Sequence, residues 1–507
     1  MSQPALPLSN EKVLTEVNQT FDIKTTYTEE IIFGLCGPIG SPIHEVANIF
    51  KRNIEGKYGY KCHIIRLSDF IVDYMRGKGR EQDTDQFKKL KNLIDFGNDM
   101  RKSFNLEVLA ELAISKISMD REEHKVLNDS PTFKSRRVCY IIDSIKNIHE
   151  YKTFKNVYTD MFYLTGVFAE PEERRKTLNK SINEVSKVAE LITQDSGEEI
   201  EHGQSVQDTF QLADFFIRGD NNEELLLKKI ERFTDLIFGT KITTPSVDET
   251  AMYMAASAAG NSACLSRQVG ACLTDINGHI LSVGWNDVPK AGGGTYSSND
   301  KMGEDQRCYN RGKCFNEENK IQITEIITEA LIKEDVIERD KKEHVVKILK
   351  RTPINSLIEY SRSIHAEMLA IIQGAINTGN HIQNGVLYTT TYPCHFCAKH
   401  IIAAGIMKVF FIEPYPKSLA LKLHDDAISE TENLKKVHII AFEGISPNKY
   451  LTFFKKTNEK RKDPQGKVIF VDPRKASPVY TTSLESIPIV ENIIVRNLME
   501  KNLIAKK

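Results

Sequence analysis

Four short apolar runs, the first and fourth leading into helices and the second into a turn, occupy the first half of this chain. They are "EIIFGLCGPIG" with Ile31 to Leu35 as its strand, "KCHIIRLSDFI", "RRVCYIIDSIKNIHE" with Val138 to Ile142, and "MFYLTGVFAEPEERRKTL". Buried strands alternating with helices predict a parallel sheet with helices on both faces, because each helix carries the chain back to the end at which the next strand begins. A long polar helix is expected over roughly 83–122 and a more helical section from Glu201 to near Gly239. Residues 1–28 read as an irregular arm.

The pattern restarts after a linker, "TKITTPS", at 240–246. "DETAMYMAASAAGNSA" is a helix, and "QVGACLTD" and "HILSVGWND" flank Asn277-Gly278, a hairpin turn. Residues 299–350 are charged, mostly helical and look inserted. The helix of "SIHAEMLAII", the strand "GVLYTTT", a helix from Cys394 and the strand "IMKVFFIEP" follow. The expected organisation is an arm at 1–28, a first α/β domain at 29–240, a second at 248–455 with the insertion, and a tail at 456–507. At about 150 residues per domain, a chain of 507 residues accommodates this.

Bulk properties narrow the partners. The formal net charge is -1, so no global basic field recruits a polynucleotide. The nine cysteines are odd in number and do not read as a disulfide framework. No apolar run reaches about 18 residues, so no membrane partner is expected. The first residues carry no apolar core of a leader. The expected setting is cytoplasmic and reducing, where paired cysteines more often hold metal.

Two separated fragments carry the chemistry. Cys394 and Cys397 are spaced C-x2-C at the start of a helix, so both thiolates face one ion and the helix terminus favours their charge. His365 would supply a third ligand, leaving one position of a tetrahedral Zn2+ open to water. Glu367 lies two residues from that histidine and reads as the proton carrier rather than a ligand. His365-Ala366-Glu367 followed by Pro393-Cys394-His395-Phe396-Cys397 is the H-x-E and P-C-x-x-C layout of zinc deaminases. His395 and His400 are left out, since three ligands complete an open site.

With those residues in place, 248–425 resembles the deoxycytidylate deaminases through "SRQVGACLTD", "GWNDVPKAGGG", "HAE", "YTTTYPCHFCAKHIIAAGI" and "EPYPKSLALKLHDDAI". The whole chain is similar to longer, two-domain anti-phage deaminases with an N-terminal P-loop kinase-like domain. The resemblance implies a cytidine-deaminase-like mixed sheet and a homo-oligomer, a hexamer among the arrangements. It also implies free deoxycytidine nucleotides, dCTP or dCMP, as substrates, and defence by nucleotide depletion. Asn286 would contact the sugar, and an amide can both donate to and accept from a hydroxyl. Lys290, Ser266, Arg267, Tyr415 and Lys417 are the phosphate candidates, with the amides of "AGGG" at 291–294. An inhibitory RNA or a nucleotide effector is compatible as regulator. The alternatives are a polynucleotide cytosine deaminase, which needs a basic or aromatic strand channel, and an inactive nucleotide sensor.

"GLCGPIGSP" resembles a phosphate-binding loop, but that loop reads G-x-x-x-x-G-K-[ST]. Aligned on Gly37, the last three positions are Pro42, Ile43 and His44. An isoleucine cannot reach phosphates and the hydroxyl that holds magnesium is missing. Asp143 sits where a magnesium-linked acid would. The domain therefore reads as regulatory, with Gly37, Gly40 and Ser41 as its remaining nucleotide contacts. Cys308 and Cys314 in "RCYNRGKC" have no common zinc spacing and read as ordinary thiols, and Trp285 as core packing.

Overall fold

The computed structural model describes residues 26–127, 133–196, 205–219, 222–301, 303–415, 418–455 and 461–505. Its strands are β1 (Ile31–Cys36), β2 (Lys61–Arg66), β3 (Val138–Ile145), β4 (Phe162–Phe168), β5 (Phe215–Arg218), β6 (Gly270–Thr274), β7 (Ile280–Trp285), β8 (Val386–Thr391), β9 (Lys408–Glu413), β10 (Ile428–Ser429), β11 (Val437–Ala441) and β12 (Gly444–Ile445). They form two six-stranded sheets in an α/β arrangement, ordered β12-β5-β4-β1-β3-β2 and β10-β11-β9-β8-β6-β7.

In the first sheet β1 to β5 are parallel, and only β12 runs antiparallel, against β5. Every residue of β1 and β4 is buried, which is why both read as continuous apolar runs rather than alternating ones. Helices Ile43–Tyr58 and Glu223–Phe238 cover one face, where Phe33, Phe50, Phe215 and Phe233 form one aromatic cluster. Two expectations are corrected here. Phe215–Arg218 is a strand inside the section expected to be helical, because its three phenylalanine and isoleucine positions are buried against β4. The long helix of 83–122 is two, Gln86–Ser103 and Val108–Leu127, broken around Asn105, whose side chain donates to Glu111.

The second sheet is mixed. β6 pairs antiparallel with β7 and β8, while β8, β9, β11 and β10 are mutually parallel. The hairpin turns over Asp275 to Gly278, closed by Gly278 N to Asp275 O at 3.1 Å, with Gly278 supplying the positive φ of 84° that ends the turn. Helices Phe315–Lys333 and Lys342–Leu349 account for the insertion. No helix of the described residues is long and apolar enough to cross a membrane.

The two sheets meet at Glu249. Its carboxylate closes the capping box of helix Val247–Ala259 with Ser246, takes two bonds from Arg232, and accepts the N–H of Ile445 in β12. The tail also returns to the first sheet. Helix Ile487–Glu500 packs on helix Val108–Leu127, and Thr28 and Leu484 bond across to Thr482 and Thr26. At this junction the buried Arg121 bridges Glu30 (2.6 Å) and Glu491 (3.0 Å), and Tyr158 donates to Glu491. Removing Arg121 leaves the buried Glu491 carboxylate without a cation, while Glu30 keeps Arg136 at 2.9 Å. Arg121→Met should therefore cost roughly 3–5 kcal/mol, read as a lowered urea midpoint.

Candidate metal and catalytic site

The site forms where two helix starts converge beside the carboxyl end of β8. His365 is the N-cap residue of helix Ala366–Thr378, and Cys394 is the N-cap residue of helix His395–Ala403. Both have extended backbone, so each side chain projects ahead of its helix. A bridge between Asp287 and Ile364 pins the chain one residue before His365. The first helix lies directly on β7. A Cβ on Gly284 would stand 2.3 Å from Ala366 O and 2.5 Å from Ala370 N, so a larger residue would push the helix, and His365 with it, off the sheet.

His365 Nδ1 lies 3.3 Å from Cys394 Sγ and 3.3 Å from Cys397 Sγ. The three donor atoms fall within 4.8 Å of one another, the one such group found among the described residues. Ordinary Zn–N and Zn–S bonds at a tetrahedral angle place nitrogen and sulfur about 3.5 Å apart, so the donor set fits a single zinc ion in both spacing and type. Both sulfurs sit at a helix start, where the N-terminal dipole favours thiolate. The Cys394 thiol is drawn down to about 4, chiefly by the Cys397 hydrogen bond and then by His365. Cys397 is held well above the usual thiol range by burial. Glu367 is 4% exposed, and burial pushes its carboxyl up to about 7, the Cys394 charge adding to the rise.

These groups open on a cavity of about 550 Å³. Ser266, Arg267, Asn286 and Tyr415, all named from the sequence, lie in its lining. The Asn286 amide also fixes the local backbone, accepting from Val269 N (2.7 Å) and donating to Arg267 O (2.8 Å). Its second N–H remains for a ligand. Arg267 is paired with Glu413 at 2.8 Å. Lys290 is not in the lining and bonds Asp300 at 2.9 Å. Residues 292–294 all have positive φ and turn back on themselves through Gly293 N to Lys290 O. Lys417 lies outside the described residues. His395 and His400 are not part of the metal-ligand group, and His400 bonds Phe396 O.

Several lining residues carry no motif. Asn316 and Lys320 come from the insertion, and Gln207 and Asp208 from helix Val206–Phe210 beside the first sheet. Glu413 had a signal available: it ends a parallel strand, where open α/β sheets place their ligands.

At the first sheet, Gly37 lies against β4, where a Cβ would meet Val167 O at 2.0 Å. The N–H of Ile39 is already taken by Asp195 Oδ2 at 2.6 Å, and Lys146 bridges Asp195 to Gly37 O. Gly40 has φ 85°, and the Ser41 hydroxyl has no partner. Asp143 is enclosed by His44 (2.5 Å), Arg66 and Ser144. Cys314 meets Ser266 at 3.7 Å, and Cys308 and Cys314 form no metal-ligand group.

Residues 245–413 match the family model described as the cytidine and deoxycytidylate deaminase zinc-binding region. The deoxycytidylate deaminase of Enterobacteria phage T4 is 30% identical over 172 residues, 33% of this chain and 79% of the phage protein. That of Schizosaccharomyces pombe is 25% identical over 205 residues, 40% of this chain and 48% of the yeast protein. The solved structure of dCMP deaminase from cyanophage S-TIM5 with dCMP and dUMP is 20% identical, with a TM-score of 0.23, covering 39% of this chain and 99% of that one.

Proposed function

The chain belongs to the deoxycytidylate deaminase family of enzymes, and we propose that it hydrolytically converts free deoxycytidine nucleotides, dCMP, dCTP or both, to deoxyuridine nucleotides and ammonia. One observation carries this reading: His365, Cys394 and Cys397 group three zinc donors, and His365, Cys394 and the buried Glu367 carboxyl line one cavity.

Zinc bound by those three residues supplies the Lewis acidity that activates water at neutral pH. Glu367 carries the protons. It takes one from the attacking water and delivers it to the ring nitrogen, then transfers the next to the departing amine. The C4–N bond breaks, the water oxygen becomes the carbonyl, and ammonia leaves. Burial suits Glu367 to alternate between its two protonation states. Asn286 positions the sugar with its free amide N–H, and Ser266, Arg267 and Tyr415 complete the wall.

The biological role we propose is defence by depletion of deoxycytidine nucleotides, in a homo-oligomer restrained by an RNA or a nucleotide effector. The first sheet would serve as a P-loop kinase-like regulatory unit without phosphotransfer. Its order around β1, with a glycine turn leading into helix Ile43–Tyr58, supports the kinase-like reading. Ile43 in place of the lysine and the Asp195 carboxylate on the loop amide support the loss of phosphotransfer.

The test is ammonia release from dCMP, dCTP, CMP, CTP and single-stranded DNA, with and without dTTP. Release from the free deoxynucleotides and none from DNA is expected. Release from DNA alone would make the protein a polynucleotide deaminase.

A further inference from the structure

We propose that Lys320, on the first helix of the insertion, binds the phosphate of the nucleotide substrate. This rests on the deaminase reading and assigns the anion-binding part of the same cavity. A deoxycytidine nucleotide brings one or more phosphates to a cavity that already holds three carboxylates, Asp208, Glu367 and Glu413. Apart from His365, the cationic side chains in its lining are Arg267 and Lys320.

The two cations are not equivalent. Arg267 is engaged by Glu413 at 2.8 Å. The Lys320 side chain is only 14% exposed, and its carboxylate contact among the described residues is a long one, Glu317 at 3.5 Å one turn away. A largely covered ammonium with so loose a partner is suited to an anion arriving from the cavity. Lys290, another of the phosphate candidates named from the sequence, is committed to Asp300 and absent from the lining.

The helix is held so that Lys320 faces inward. Asn316, four residues earlier and therefore on the same face, also lines the cavity and donates to Leu357 O at 3.0 Å. That bond ties the helix to the segment leading to His365. The Asn316 Oδ1 is buried without a partner and can accept from a donor such as a sugar hydroxyl of the same nucleotide. Beside it, Arg311, Lys313 and Arg362 lie around the Phe315 ring at 4.9–5.9 Å, with Lys313 itself paired to Glu318 at 2.8 Å.

The experiment compares wild type, Lys320→Met and Lys320→Arg in ammonia release from dCMP and dCTP, with inorganic pyrophosphate as a competitive inhibitor. Lys320→Met should raise KM and the pyrophosphate inhibition constant roughly ten- to a hundredfold, with kcat changed less than about twofold. Lys320→Arg should restore most of both. An unchanged KM, a loss confined to kcat, or failure of arginine to rescue would overturn the assignment alone. Wild-type protein that releases no ammonia from any deoxycytidine nucleotide would overturn the deaminase reading and this assignment with it.

Discussion

Glu367→Ala should retain zinc and lose turnover, with kcat for ammonia release falling by about 10²–10⁴. The two halves of that result follow from different atoms. His365 Nδ1 and the two cysteine sulfurs form the donor group without Glu367, so its truncation removes no ligand. The other two carboxylates of the cavity are already engaged, Glu413 by Arg267 and Thr391 and Asp208 by the Ser205 hydroxyl. His365 would be committed to the metal through Nδ1, and the Arg267 guanidinium does not deprotonate. Metal analysis on the same preparation as the kinetics separates the two halves. Retained activity would remove Glu367 from the proton path, and lost zinc would make it structural.

The residues of this site were legible because its chemistry is local in sequence. His365 and Glu367 are two apart, Cys394 and Cys397 three apart, and each pair opens a helix that its apolar spacing announces. What the sequence could not show was which distant segments close the cavity. Lys320 and Asn316 lie in a charged helix where any polar residue reads as solvated, and only the return of that helix past Leu357 brings them inward. Gln207 and Asp208 come from beside the other sheet. The same limit applies to the fold. β1, β3 and β4 are long, wholly or nearly wholly buried, and stand out as apolar runs. β5 has four residues and β12 two; β5 pairs with β4, Thr165 opposite Phe215, and with β12 more than 200 residues away, Phe216 with Gly444 and Phe215 with Ile445. Pairing over that separation leaves no local periodicity to read. Asn286 shows a third case, in which one amide both fixes the local backbone and lines the cavity.

Cys397→Ala should lose the metal, and the consequence should exceed the loss of one bond. Cys397 is fully buried in the first turn of its helix, and its sulfur is the innermost donor by exposure. Without it, His365 and Cys394 remain, two ligands where zinc in proteins takes three or four. Such a pair should not retain zinc through dialysis against a chelator, whereas wild type should keep about one ion per chain. The two helices that the ion joins belong to the same buried cluster, with Ala366, Ala370, Cys394, Ala398 and Ile401 in it. That packing does not depend on metal, so the variant should remain folded while becoming less stable and inactive. Far-ultraviolet circular dichroism would check the first point and a thermal melt with and without added zinc the second. Wild type should gain stability from zinc because an ion that binds only the folded state shifts unfolding by mass action, and the variant should show no such gain. Undiminished zinc in Cys397→Ala would overturn the ligand set.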